Sequence, residues 1–582
     1  MAQRNKEHRF DLAPQVEIPR CQEPYRQNIK GTIKAGDLVP FFCDMSIMPG
    51  DTLKLNMASV IRMLTPITPV MDNCFCDVYF FMVPWRLCWD HTKEFWGENT
   101  ESAWYTTTEY SVPKLKSGND VAFDIGSIVD YMGIAPTGVK RLTVSALPIR
   151  AYREIYSEWF RDQNLIAPPT KRTNDSDTMY DYSDATKGGA PFKIAKYHDY
   201  FTSCVPTIVK GEEITFPLGT TADVIFPNTA INNRAGDGKA LGLTNGTTDY
   251  GLKYKYGTGL VSNTDAFYQN VPDLEPGGSG TAPGADSSIG VNWNPEYSGI
   301  RQYLDYFNEN GIYADLSNAT AAPISVVREA FAYNRILERM ALAGSRYTEI
   351  IKAFWGVNSP DQRLQRPEYL GGFSLPINVS QIPQTSQTES TGTPQGNVAA
   401  MSLTGDNRAL FTKSATEHSL IIGLMAIRQT HSYQQGIERI YSCFKKYHFY
   451  MPPLAHLSQQ PVLNKEIYAQ GYNVVDDDGN YVDDQVFGYQ EAWAHYRYRP
   501  NRICGELRSD ANLSLDVWHY GDDYSSLPVL SEEFINETDD YIKRTLAVQD
   551  TDTCQFLFDV QIKGTITRCM PRYSIPGLLD HY

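Results

Sequence analysis

LVPFFCDM (residues 38–45), MPGD (48–51), TLKLNMASVIRM (52–63) and FCDVYFFMVP (75–84) decide the fold class. Each of the three long runs is dense in aliphatic and aromatic residues, and turns break them at Pro49-Gly50 and around Pro66 and Pro69. Short runs of this kind, punctuated by Pro and Gly, build antiparallel sandwiches and jelly rolls rather than parallel sheets. Similar text returns late in the chain as TEHSLIIGLMAIRQ (416–429), FKKYHFYM (444–451) and TCQFLFDVQI (553–562), each expected as a strand. The expected class is therefore mainly β.

Helices are expected to be few. PISVVREAFAYNRILERMAL (323–342) puts Val327, Ala330, Phe331, Asn334, Leu337 and Ala341 on one helical face, with Pro323 in the first turn and Gly344 as the stop. RYTEIIKAFWG (346–356) begins a second helix. Trp85, Trp89 and Trp96 fall at i, i+4 and i+11 in a short helical stretch around His91. That spacing suits a core or a subunit contact and needs no cofactor.

Working outward, residues 1–30 carry three prolines and little periodicity, and read as an extended arm. Residues 220–322 change character: GDGKALGLTNGTTDYGLKYKYGTGL (236–260) and EPGGSGTAPGADSS (275–288) are rich in Gly, Asn, Thr and Ser. A structureless loop of that length is improbable inside a compact domain. An inserted subdomain of small hairpins, ended by turns such as Asn245-Gly246, is the better reading. The β core is then expected in two parts, 31–219 and 323–582.

The chain is acidic, with a net charge of −16, which argues against a free nucleic-acid binder. Its first 34 residues nevertheless hold seven Lys/Arg against four acids. The opening MAQRNKEHRFDLAPQ has no apolar core of a secretory signal, and no run of 18 apolar residues offers a membrane span. Ten cysteines are scattered; Cys74 and Cys76 alternate with Phe75 on one strand face and lack zinc-knuckle spacing. Free thiols in a reducing compartment are expected.

Little in the sequence points to catalysis. DDDGN (476–480) opens like a calcium loop, but Tyr481 stands where that loop needs glycine and no glutamate follows at its twelfth position. Nucleophile elbow, zincin helix, phosphate loop and dinucleotide fingerprint are all missing. No catalytic residue, metal or cofactor is expected. Paired carboxylates are spatial rather than sequential, so a secreted carbohydrate-active hydrolase or lectin is the alternative.

Several stretches resemble the major capsid protein of microviruses, single-stranded-DNA bacteriophages, in their gokushovirus branch. They are LVPFFCDMSIMPGDTLKLNM (38–57), MLTPITPVMDNCFCDVYFFMVPWRLCWDHTKEFWGEN (63–99), LERMALAGSRYTEIIKAFWGVNSPDQRLQRPEYLGG (337–372), FGYQEAWAHYRYRPNRICGELRS (487–509) and MPRYSIPGLLDHY (570–582), in the family's order. RCQEPYRQ (20–27) departs from the family's usual text after the arm.

The resemblance implies an eight-stranded antiparallel jelly roll, with about sixty copies forming a T=1 icosahedral virion shell, assembled in the host cytoplasm around circular single-stranded DNA. The implied partners are further copies at threefold and fivefold contacts, the genome, a small basic DNA-packaging protein, scaffolding and DNA pilot proteins, and a bacterial surface receptor. On this reading Arg4, Lys6, Arg9 and Arg20 are expected to touch DNA phosphates from the arm. Trp85, Trp89, Trp96, Arg363, Arg366, Tyr369, Tyr573 and Leu578 are expected at subunit boundaries. Phe226, Tyr250, Tyr254, Tyr256, Phe267, Tyr268 and Trp293 supply contact groups on an outward protrusion, 220–322, expected to recognise the host.

Overall fold

The computed structural model describes residues 20–100, 108–134, 138–211, 223–225, 242–244, 249–251, 313–315, 324–385, 396, 398–550 and 553–573. The chain divides into two units, one of Met1–Gly211 with Ile336–Tyr582 and one of Glu212–Arg335.

Eight strands organise the first unit: β1 (Arg20–Ile33), β2 (Val39–Ile47), β3 (Thr52–Met63), β4 (Cys74–Pro84), β5 (Glu368–Pro376), β6 (Thr404–Ser414), β7 (Ser419–Gln429) and β8 (Phe556–Cys569). They form two four-stranded sheets of order β1-β8-β3-β6 and β5-β4-β7-β2. Every neighbouring pair is antiparallel. The molecule is thus mostly β with few helices, consistent with a viral capsid jelly roll.

Side-chain alternation explains how the sheets pack. In β3, Leu53, Leu55, Met57, Ile61 and Met63 are buried while Lys54, Asn56, Val60 and Arg62 are exposed. In β8, Phe556, Phe558, Val560 and Ile562 are buried on the same side. A period of two puts each set on one face of its strand. That face meets Cys76, Val78, Phe80 and Met82 of β4 and Ile421, Met425 and Ile427 of β7 in the main core. Phe41 packs edge-on against both Phe80 (5.9 Å) and Phe558 (6.3 Å), joining the sheets. Close approach fixes one glycine: a Cβ on Gly564 would lie 2.0 Å from the carbonyl oxygen of Lys54 on the neighbouring strand.

The two sheets differ in their outer faces. β7 is buried at ten of its eleven residues, because its second face carries another layer. There Phe81, Val83, Leu420, Ile422, Leu424 and Ala426 pack with Trp85, Trp89 and helix α1 (Leu147–Ile155), buried along its whole length. The Tyr152 hydroxyl donates to the Leu38 carbonyl (2.7 Å) and accepts from the Phe192 amide (3.0 Å), tying α1 to β2. The sheet β1-β8-β3-β6 keeps the exposed–buried alternation of an antiparallel sheet with one wet face. A third cluster, including Tyr200, Phe201, Tyr433, Ile467, Phe487 and Phe534, organises the long connection between β7 and β8.

In the second unit, 223–225 pairs antiparallel with 313–315, and 242–244 with 249–251; the turn expected at Asn245-Gly246 lies outside the described residues. Helix α2 (Ile324–Ala343) begins in this unit, and α3 (Tyr347–Trp355) lies in the first; Gly344 (φ +92°) separates them and Gly356 (φ +68°) ends α3.

Three expectations need correction. Residues 20–30 are not arm: they pair with β8 in register from Arg20↔Cys569 to Ile33↔Phe556. FKKYHFYM (444–451) forms no strand but a 3-10 turn at Lys446–His448, with Phe444 80% and Tyr447 71% exposed. Among the described residues no strand pairs with this segment, so apolar content misled. The tryptophan stretch is two four-residue helices, Trp85–Cys88 and Thr92–Phe95, not one continuous face.

Candidate functional site

The tryptophans separate by depth. Trp89 is wholly buried and Trp85 nearly so, both in the layer over β7, whereas Trp96 is 51% exposed. Trp89 Nε1 donates to Asp175 (2.6 Å), and His91 Nδ1 lies 2.9 Å from the same carboxylate with its ring stacked on Tyr110. Trp96 stacks flat on His418 at 3.7 Å, beside the Arg86–Glu417 pair. Only Trp96 of the three presents a surface.

Around Tyr369 the structure gathers aromatics. Its ring lies 5.4 Å from Phe81 and 5.7 Å from Trp159, and the Arg366 guanidinium sits 3.8 Å over Trp159. Arg366 also meets Asp361 (3.3 Å) and Thr348 (3.1 Å), so it is held within its own subunit. Tyr369, Trp159, Phe160, Tyr79, Tyr197 and Arg428 line an open hollow. Arg363 caps a turn through its amide to Pro360, and Tyr573 is 70% exposed. Leu578, Arg4, Lys6, Arg9, Phe226, Tyr254, Tyr256, Phe267, Tyr268 and Trp293 lie outside the described residues, and Tyr250 is placed only as a member of a short strand.

Among the described residues, one titratable cluster is fully internal. His431 bridges Asp522 (Nδ1, 2.7 Å) and Glu537 (Nε2, 3.1 Å), and all three are buried. Lys196 stands 3.6 Å from Asp522, and the Tyr524 hydroxyl donates to it (2.7 Å). Burial pulls the imidazole pKa down, but the two carboxylates outweigh it and push it up to about 10. Burial acts oppositely on Asp522 and raises it, yet His431 and Lys196 outweigh that and hold it at about 2. A fixed imidazolium between two carboxylates is a clamp, not a general base, because both of its nitrogens already carry protons near neutrality. Among the described residues no group of His, Cys, Asp or Glu is arranged to hold a metal ion, and no helix is long and apolar enough to cross a membrane.

Two surfaces of the described residues are relevant to binding. One is apolar and aromatic: Tyr441, Phe444, Tyr447, Phe449 and Tyr450 are exposed beside Tyr496 and Tyr498. Tyr450 joins the two segments, packing on Trp493 (5.6 Å), while Trp493 Nε1 donates to the Leu454 carbonyl (2.8 Å). Sequence reading took the first of these segments for a strand and missed the surface. The other is the wet face of β1-β8-β3-β6, with exposed Arg20, Arg26, Lys30, Lys54, Arg62 and Lys563. Of these, sequence reading named only Arg20 as a contact; the alternation in TLKLNMASVIRM was the signal for Lys54 and Arg62.

A family model described as capsid protein (F protein) matches residues 13–578. The chain is similar to capsid protein VP1 of Spiroplasma virus 4, 36% identical over 98% of this chain and 97% of that one. Capsid protein VP1 of Bdellovibrio phage phiMH2K is 36% identical over the full length of both, and that of Chlamydia phage 1 is 35% identical over 98% of each.

Proposed function

The chain belongs to the phage F capsid protein family, a structural virion component of microvirus-like phages and not an enzyme, and from that premise we propose how it builds its shell. The eight strands are the jelly roll, two sheets of four closed over one core. About sixty copies close a T=1 shell around a circular single-stranded DNA genome. The observation that carries this reading is the exposed aromatic surface of 441–450 and 496–498, an apolar area that a lone soluble subunit has no reason to keep in water. Trp96, Tyr369, Tyr573 and Leu578 extend these contacts. Each contact is of ordinary size, roughly 1,600 Å², and closure multiplies it.

The insertion 220–322 protrudes outward and recognises a bacterial surface receptor through Phe226, Tyr250, Tyr254, Tyr256, Phe267, Tyr268 and Trp293. The arm residues Arg4, Lys6 and Arg9, followed by Arg20, touch phosphates. A small basic packaging protein supplies most of the neutralisation that a chain of charge −16 lacks, and scaffolding and pilot proteins assist assembly. The test of assembly is Phe444→Ser with Tyr447→Ser: normal folding by circular dichroism with loss of shells is expected, and normal shells would refute the contact. Deleting 225–300 tests the protrusion. Intact particles that no longer adsorb support recognition; intact particles that adsorb normally end it.

A further inference from the structure

The wet face of the sheet β1-β8-β3-β6 differs in charge from the molecule that carries it. Strand register sets its side chains in rows. Arg26, Lys563 and Asn56 form one row; Asn28, Gln561, Ala58 and Asn407 form the next; Lys30, Asp559, Val60 and Gly405 form the third. Arg20, Arg26, Lys54, Arg62 and Lys563 have no carboxylate partner among the described residues, and Lys30 is only loosely paired with Asp559, at 3.7 Å. In the outward-facing rows six cations thus meet one carboxylate, Asp559, in a chain of net charge −16.

The middle rows are also hollowed. Ala58 and Gly405 floor a shallow open depression rimmed by the amides of Asn28, Gln561 and Asn407, with Asp559 at one side. Asp406 also lines it, with its carboxylate engaged by Arg408. Amide groups carry a donor and an acceptor side by side, which matches the edge of an unpaired base, and flanking cations match phosphates.

We propose that this sheet face is a binding surface for single-stranded nucleic acid, with phosphates on Arg26, Lys30, Lys54 and Lys563 and a base in the amide-rimmed depression. The inference rests on the reading that the shell encloses a single-stranded genome. A second copy of the chain is the rival occupant, since it too is acidic. It fits less well: a subunit contact needs an apolar centre, and the large exposed apolar side chains of this face are Val60 and Leu557. The aromatic surface of 441–450 and 496–498 has that centre.

The experiment uses filled particles. Ultraviolet cross-linking followed by peptide mass spectrometry should place cross-links in 20–33, 52–63, 404–414 and 556–569. Particles carrying Arg26→Gln, Lys54→Gln and Lys563→Gln together should close normally but release their genome at roughly twofold lower salt, since each lost phosphate contact lowers the salt slope. Cross-links confined to other segments, such as 441–450, overturn the inference, as does unchanged salt release from the triple variant. If the triple variant does not close, the wild-type cross-link map decides alone. Particles without any nucleic acid would overturn the enclosing-shell reading and this inference together; filled particles cross-linked elsewhere would overturn this inference only.

Discussion

Replacing His431 with Leu tests the buried clamp. In the native protein two cations, His431 and Lys196, face two carboxylates, Asp522 and Glu537, in a site closed to water. Removing the imidazolium leaves one buried negative charge without a partner, which costs about 3–5 kcal/mol. The clamp joins the end of β7 to the segment 519–537 of the long connection, so the loss should be felt in subunit unfolding. The pH dependence has a definite sign. The folded imidazole pKa is about 10 against the ordinary 6.5, so its contribution is complete below pH 6.5 and is lost as pH rises toward 10. The slope from this one proton is about 1.4 kcal/mol per pH unit. Asp522 behaves oppositely: held at about 2, it contributes fully above pH 3.8 and loses its contribution as pH falls toward 2. Denaturant unfolding of the purified subunit, followed by tryptophan fluorescence, reads both effects as the difference between wild type and His431→Leu. That difference should be largest near pH 6 and shrink toward pH 9.5. Adding Glu537→Gln should recover part of the loss by removing the surplus charge. A cost below about 1 kcal/mol at pH 6, or a difference that stays constant to pH 9.5, would refute the reasoning.

Gly564→Ala drives a methyl group into the Lys54 carbonyl across the β8–β3 pair, and is expected to block soluble folding; normal soluble yield would contradict it. Arg150 donates to the carbonyls of Cys88, Asn174 and Ser176, so Arg150→Met should cost about 2–4 kcal/mol in denaturant unfolding and expose 173–176 to proteolysis, where wild-type resistance would count against it. Cys76 lies in the core, and burial pushes its thiol pKa well up; it should stay unlabelled by iodoacetamide in the native subunit while exposed Cys504 reacts, and equal labelling would contradict the packing.

The strands were legible where alternation or a long apolar run coincided with a turn. TLKLNMASVIRM reads directly as β3, and FCDVYFFMVP as β4 extended by Cys74. RCQEPYRQNIKGTI was harder, because Pro24 and four charges hide a strand whose partner, β8, lies more than five hundred residues away. Only β8 tells it apart from an arm. FKKYHFYM failed for the opposite reason: aromatic content resembles a strand, but among the described residues no strand pairs with it. The clamp was invisible, since His431, Asp522, Glu537 and Lys196 are scattered over more than three hundred residues and meet only in the fold. The cationic face was half visible. Lys54 and Arg62 show in the alternation of β3, but Lys563 joins Arg26 only through strand register.

Shell building requires that copies of this chain close into one particle. Native mass measurement of purified particles tests it most directly. About sixty copies of the 65.6 kDa chain predict a protein shell of roughly 3.9 MDa with icosahedral symmetry by electron microscopy. A chain that stays monomeric at high concentration with the scaffolding and other phage proteins supplied would contradict it.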